Sequence, residues 1–155
     1  MTVYLVRHAV AVGRHSWDGP DTARPLTPKG ERQATALPRL FESAEVRRIA
    51  SSPATRCLDT VGPLATTCGL EVEPVTELAE GSAAKDAVAL VRSLAAKKGD
   101  SVLCAHGDLI PEILRKLTRD GMRMESELQF AKGSTWELVV DGDDVVSGRY
   151  HPPAE

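Results

Sequence analysis

Two short apolar runs constrain this chain more than any other feature, because each stops abruptly on a histidine. Val3-Tyr4-Leu5-Val6 passes directly into Arg7-His8-Ala9, and Ser101-Val102-Leu103-Cys104-Ala105 passes into His106-Gly107-Asp108. Near-continuous apolar runs of this length read as strands buried on both faces of a parallel sheet. Parallel strands need crossover helices. Open sheets of that kind take their ligands in the crevice beyond the carboxyl ends of the strands. The two histidines therefore fall where a ligand is expected.

The chain between and after these runs supplies the helices. A long polar loop over residues 12–28 holds Gly13, Gly19, Pro20, Pro25 and Pro28, and loops of this length are usually functional or disordered. Thr27 followed by Pro28 marks a helix start, with Ala34, Leu37 and Phe41 at helical spacing and Pro38 as a predicted kink. Residues 46–51 form a strand candidate, although Arg47 and Arg48 interrupt its apolar character. Ser51-Ser52-Pro53 opens a second helix with the face Leu58, Val61, Ala65 and Cys68, closed by Gly69. A third strand is expected over 71–75, followed by a loop over 76–83.

Ala87, Leu90, Val91 and Leu94 define a third helix that ends at Lys97-Lys98-Gly99, and Ile110, Ile113, Leu114 and Leu117 a fourth, with Pro111 in its first turn. Asp141-Gly142-Asp143-Asp144 separates runs 135–140 and 145–150, which predicts a hairpin; the tail, 151–155, is expected to fray. The expected fold is a single α/β domain over 1–155. It has three layers, α-β-α, around a mostly parallel sheet, with an antiparallel hairpin at one edge.

Composition narrows the function classes. A net charge of -3 gives no bulk signal for nucleic acid or an anionic membrane, so an anion site must be local. The three cysteines lack metal-ligand spacing and suit reduced thiols in a cytoplasmic protein. The start of the chain has no basic segment, and its apolar run is too short for a signal peptide or a membrane span.

Arg7, His8, Arg56 and His106 all fall at expected strand ends or just inside the helices that follow. Parallel pairing would bring them to one edge of the sheet. Two guanidiniums and two imidazoles without matched carboxylates repel one another, by about 4 kcal/mol per pair at 4 Å and an effective dielectric near 20. A dianion relieves that repulsion, and the arginine fork matches phosphoryl oxygens two at a time.

Four segments in order resemble the histidine phosphatase superfamily, the phosphoglycerate-mutase-like proteins. Arg7-His8-Ala9 is similar to its RHG/RHA signature, and Leu26-Thr27-Pro28-Lys29-Gly30 with Gln33-Ala34 to its L-T-x-x-G-x-x-Q-A helix opening. Ser51-Ser52-Pro53 through Arg56 and Thr60 is similar to its S-S-P-x-x-R-x-x-x-T segment, and Ala105-His106-Gly107 to its second-histidine motif.

The resemblance implies roles. His8 attacks phosphorus and becomes a phosphohistidine that water hydrolyses; Arg7, Arg56 and His106 hold the equatorial oxygens, with Gly107 beside them. It also implies that no metal and no cofactor are needed. Leu78-Ala79-Glu80 is similar to the family's L-x-E, which makes Glu80 the candidate proton donor and Glu77 the fallback. Arg24-Pro25-Leu26-Thr27 resembles the SixA-type segment whose arginine faces phosphate. Asp108 departs from the pattern and is read as an outward-pointing helix cap. His15 and Trp17 read as loop surface, and Cys57 and Cys104 as packing.

Short connections over 69–101 and after Arg119 imply an open pocket, which suits phosphohistidine on a protein, as in SixA-type enzymes, or a small phosphomonoester. Residues 17–26 also resemble histidine phosphatase domains linked to Nudix hydrolases, so a nucleotide or other small-molecule phosphate is the alternative substrate. A phosphate-binding regulatory module without chemistry is the alternative of another class. No nucleic-acid or membrane partner is expected, and the sequence does not set the oligomeric state.

Overall fold

Alternation along the first strand decides the layering. In the computed structural model, which describes residues 1–154, Val3 and Leu5 belong to one buried cluster while Tyr4 and Val6 belong to another. That is the period-two signature of a strand covered on both faces. The strands are β1 (Thr2–Arg7), β2 (Val46–Ser51), β3 (Val72–Pro74), β4 (Asp100–Ala105), β5 (Arg123–Met124), β6 (Thr135–Asp141) and β7 (Asp144–His151). They form one sheet in the order β3-β2-β4-β1-β6-β7-β5.

Strands β1, β2, β3 and β4 pair in parallel, with Val6 opposite Cys104 and Ser51 opposite Cys104 on the other side. Strand β6 runs antiparallel to both β1 and β7. The carboxyl ends of β1, β2 and β4 consequently meet at one edge. His8 N–H donates to Ala105 O and Ser52 N–H to Cys104 O there, which staggers the three exits.

Helices α3 (Ala84–Ala95) and α4 (Ile110–Arg119) cover one face; α2 (Thr55–Cys68) and the 3-10 turn Leu37–Phe41 cover the other. Val91, Ile113, Leu138 and Val61 are fully buried, each stabilising the fold by about 1.5–3 kcal/mol relative to exposure. Phe41 meets the Tyr4 ring edge-on at 4.7 Å.

Helix α1 (Pro28–Ala36) stops before Pro38, where the chain tightens into that 3-10 turn instead of kinking, and Thr27 Oγ1 caps its start by accepting from Gly30 N–H. Pro63 sits inside α2, and Gly62 before it has no Cβ to clash with the ring. Gly69 closes α2 in the left-handed region at φ 68°.

Three expectations need correction. Helix α2 begins at Thr55, because Ser51 still belongs to β2 and Ser52 is engaged elsewhere. The hairpin is not the outermost element: the two-residue β5 pairs in parallel with β7 and forms that edge. His151 lies in β7, its Nε2 2.9 Å from Glu137 Oε1, so the fraying expected of the tail does not hold there; of the tail, Glu155 alone lies outside the described residues. Among the described residues no helix is long and apolar enough to cross a membrane.

Candidate active site

The nucleophile candidate is placed by backbone chemistry. Just past β1, His8 is 6% exposed and its Nδ1 lies 2.8 Å from Ala9 O. A carbonyl only accepts, so Nδ1 carries the proton and Nε2 keeps a bare lone pair. Burial pulls the imidazole pKa down to about 3; the Ala9 bond opposes that shift, and His106, Arg56 and Arg7 add to it. At neutral pH the ring is therefore uncharged, with the Nε2 lone pair available.

Two helices hold the loop that carries it. Thr60 Oγ1, on α2, accepts from Ala9 N–H at 2.9 Å and donates to Arg56 O at 2.6 Å. Gln33 Oε1, on α1, accepts from Val10 N–H at 3.0 Å. Gly30 is required between them, because a Cβ there would stand 2.0 Å from Val10 O. The L-T-x-x-G-x-x-Q-A segment thus braces the loop that carries His8 as well as starting a helix. On the other side Gly133 N–H reaches Arg7 O and His8 O.

His106 follows β4, 2% exposed, its ring centroid 5.5 Å from that of His8. Ser52 Oγ accepts from Ala54 N–H and lies 2.8 Å from His106 Nε2. Nδ1 lies 3.4 Å from Arg56 Nη2 and 3.7 Å from Glu80 Oε2. Cys57, fully buried, packs with its thiol 3.5 Å from His106 Nε2, and Cys104 is equally buried beneath it in β4.

Arg7 and Arg56 bring the charge. Arg7 Nη1 donates to Phe130 O at 2.7 Å, and its guanidinium lies 5.6 Å from the centre of the Phe130 ring. A Cβ at Gly107 would come within 2.5 Å of Arg7 Nη2, so the glycine lets that fork lie flat across the site. Arg56, in the first turn of α2, is 1% exposed. The Nε atoms of both arginines are buried without a hydrogen-bond partner. Orphaned cationic donors of this kind fit an anionic guest.

Carboxylates do reach the cluster, contrary to the sequence expectation. Arg56 Nη2 donates to Glu80 Oε2 at 2.7 Å and lies 3.4 Å from Asp21 Oδ2, while Nη1 donates to Asp21 O. Arg14 Nη2 binds Glu80 Oε1 at 2.5 Å. Glu80 sits at the mouth with its side chain 36% exposed, and it is not a partner of either orphan Nε atom. Burial favours its neutral form, but the Arg14 hydrogen bond and charge, with His106 and Arg56, hold the carboxyl below the usual range.

Arg24 lines the cleft at 7% exposure, with Nε on Asp21 Oδ1 and Nη1 on Val12 O. It anchors the long loop over 12–28, whose other contacts include the bridge of Ala11 to Leu26. Glu77 lines neither of the two adjoining cavities, so the fallback proton donor is not brought to the site. Asp108 is no helix cap: Leu109 occupies that position, and Asp108 Oδ2 instead accepts from Gly81 N–H at 2.9 Å, tethering the Glu80 loop. His15 is exposed, and Trp17 donates to Pro20 O.

Arg7, His8, Arg24, Arg56, His106 and Gly107 line one cleft of about 340 Å³, with Glu80 at its rim. Sequence reasoning missed Arg14 and Lys132, which also line it, and the bridging role of Asp21. The i,i+3 spacing of Asp21 and Arg24 was the available signal for the last.

Residues 3–87 match the family described as the histidine phosphatase superfamily, branch 1. The chain belongs to the histidine phosphatase superfamily. Over 157 aligned residues it is 29% identical to an 8-oxo-(d)GTP phosphatase of Mycolicibacterium smegmatis, covering 99% of this chain and 49% of that protein. The chain thus spans about half the length of that curated relative.

Among solved structures, the fold matches the protein histidine phosphatase SixA complexed with tungstate (TM-score 0.78, 19% identity, 98% of this chain and 95% of that one). It also matches the phosphohistidine phosphatase SixA from Nakamurella multipartitia (TM-score 0.75, 24% identity, 99% and 96%). A mycobacterial glucosyl-3-phosphoglycerate phosphatase with inorganic phosphate aligns as well (TM-score 0.71, 17% identity, 99% and 97%). At these identities the likeness establishes the fold alone.

Proposed function

We propose that this domain is a phosphohydrolase that works through a covalent phosphohistidine on His8, with protein phosphohistidine as the favoured substrate. The observation that carries the reading is the bare His8 Nε2, set among Arg7, Arg56 and His106, with each arginine keeping a buried Nε without a partner. His8 Nε2 forms the new P–N bond as the bond from phosphorus to the leaving group breaks. Arg7, Arg56 and His106 hold the equatorial oxygens, supplying the positive charge that metal ions supply in other phosphoryl-transfer sites.

Glu80 gives its proton to the departing group. Water then attacks phosphorus, Glu80 takes the proton of that water, and orthophosphate leaves as His8 is regenerated. The carboxyl is ionised in the empty cleft, and a bound phosphoryl dianion raises its pKa by drawing Arg56 to itself. Arg24 and Gly107 complete the phosphoryl site, Gly107 by admitting the Arg7 fork.

The openness of the cleft between short loops, with Glu80 at an exposed rim, favours a phosphoryl group on a bulky carrier, and three free thiols suit a cytoplasmic setting. The 29% identity to an 8-oxo-(d)GTP phosphatase supports a second reading, a nucleotide phosphate. Rapid quench with a ³²P-labelled substrate tests the mechanism. The expected result is acid-labile, alkali-stable label on the wild-type protein and none on His8→Ala, which also loses hydrolysis of p-nitrophenyl phosphate. Turnover by His8→Ala would overturn the nucleophile assignment.

A further inference from the structure

A second cavity, of about 590 Å³, adjoins the cleft, and Arg56, Glu80, His106 and Asp108 line both. Arg7 and His8 line only the smaller one. In-line displacement sends the leaving group to the side of phosphorus opposite the attacking atom. A phosphoryl group held between His8 and Arg56 therefore directs its departing substituent past Glu80, toward the larger space. The wall the two cavities share carries Arg56, a guanidinium 1% exposed whose Nε has no partner.

The chemistry of the larger cavity differs from that of the cleft. Arg14, Arg24 and Lys132 line the cleft but not this cavity, and no Phe, Tyr or Trp lines it. Asp21, Glu80 and Asp108 contribute three carboxylates. Asp21 and Glu80 are ion-paired to Arg56, and further to Arg24 and Arg14. The partner of Asp108 is the Gly81 amide, with Arg7 and Arg14 acting on it only at longer range. When Arg56 turns to a phosphoryl group, Asp21 also loses part of its compensation.

Resting on the phosphatase reading above, we propose that the larger cavity is the leaving-group subsite and that Asp108 sets its selectivity. The subsite takes a neutral or cationic leaving group and turns away one that carries a further phosphate or a carboxylate. A phosphorylated side chain within a basic segment of protein fits this rule; a nucleoside diphosphate or triphosphate does not.

The test compares kcat/KM for three aliphatic monoesters: phosphocholine, sn-glycerol 3-phosphate and 3-phosphoglycerate, whose leaving groups are cationic, neutral and anionic. The wild-type protein is expected to prefer them in that order. Asp108→Asn keeps an oxygen for the Gly81 amide and removes the charge. Thr22→Lys adds a cation at an exposed lining position and does not depend on that hydrogen bond. Each should raise the ratio for 3-phosphoglycerate over phosphocholine about tenfold, the equivalent of about 1.4 kcal/mol.

A common factor across all three esters in both variants would overturn the subsite and leave the phosphatase reading standing. So would a wild-type preference for the anionic ester. Failure of the wild-type protein to hydrolyse any of them, or p-nitrophenyl phosphate, would instead strike the phosphatase reading and the subsite with it.

Discussion

Keeping His8 uncharged, as the proposed nucleophile must be, has a cost in stability that can be measured. Its folded-state pKa of about 3 lies below the ordinary value of 6.5, so the unfolded chain binds a proton that the folded chain refuses. The contribution is fully present above pH 6.5 and is lost as pH falls toward 3. Between pH 6.5 and 4 it amounts to about 3 kcal/mol. Urea unfolding at several pH values should show this loss for the wild-type protein and a shallower one for His8→Gln.

Glu80 makes a separate prediction at the same scale. As proton donor it matters most when the leaving group is a poor one. Glu80→Gln should slow hydrolysis of an alkyl phosphate by about 100-fold and that of p-nitrophenyl phosphate by less than about tenfold. Equal slowing of both would remove Glu80 from the acid role and leave it as a partner of Arg14 and Arg56.

At the scale of elements, the segment after β1 depends on contacts from chain far away in sequence. Thr60 on α2 and Gln33 on α1 fix it through Ala9 and Val10, and Gly30 lets α1 approach the Val10 carbonyl. Gly30→Ala forces that carbonyl or the whole helix to move. The expected cost is about 3 kcal/mol of stability, together with a lower kcat from the displaced nucleophile loop. Thermal unfolding and steady-state kinetics check the two effects, and an unchanged kcat would mean the loop tolerates the shift.

The same contacts explain which parts of the site could be read from the chain alone. His8 and His106 announce themselves because each ends an apolar run, and Arg56 because it follows a strand by a few residues. Thr60 and Gln33 stood out only within a family pattern, since nothing local tells that their side chains meet a backbone amide dozens of residues away. Asp108 misled for a related reason. Its position before a helix predicts a cap, yet a nonlocal amide, Gly81, captures it. Strand β5, two residues long, is below what periodicity can register.

At the scale of the whole molecule, the sheet gathers more cationic donors at one edge than its own acids satisfy. Arg7 and Arg56 each keep a buried Nε without a partner. An oxyanion that binds only the folded protein stabilises it by about 2.7 kcal/mol at one hundred times its dissociation constant. For a chain of this size that corresponds to a rise in Tm of roughly 8 °C. Inorganic phosphate or tungstate should produce such a rise, and Arg7→Gln should abolish most of it. An undiminished rise in that variant would place the anion elsewhere.

The bond from His8 Nδ1 to Ala9 O has a consequence for the second half of the proposed cycle. A ring tethered at one nitrogen cannot swivel once the other is loaded, so cargo accepted at Nε2 must be unloaded where it was received. Arrival and discharge therefore share a single berth, and the incoming water has to use the gangway that the departing group has just vacated.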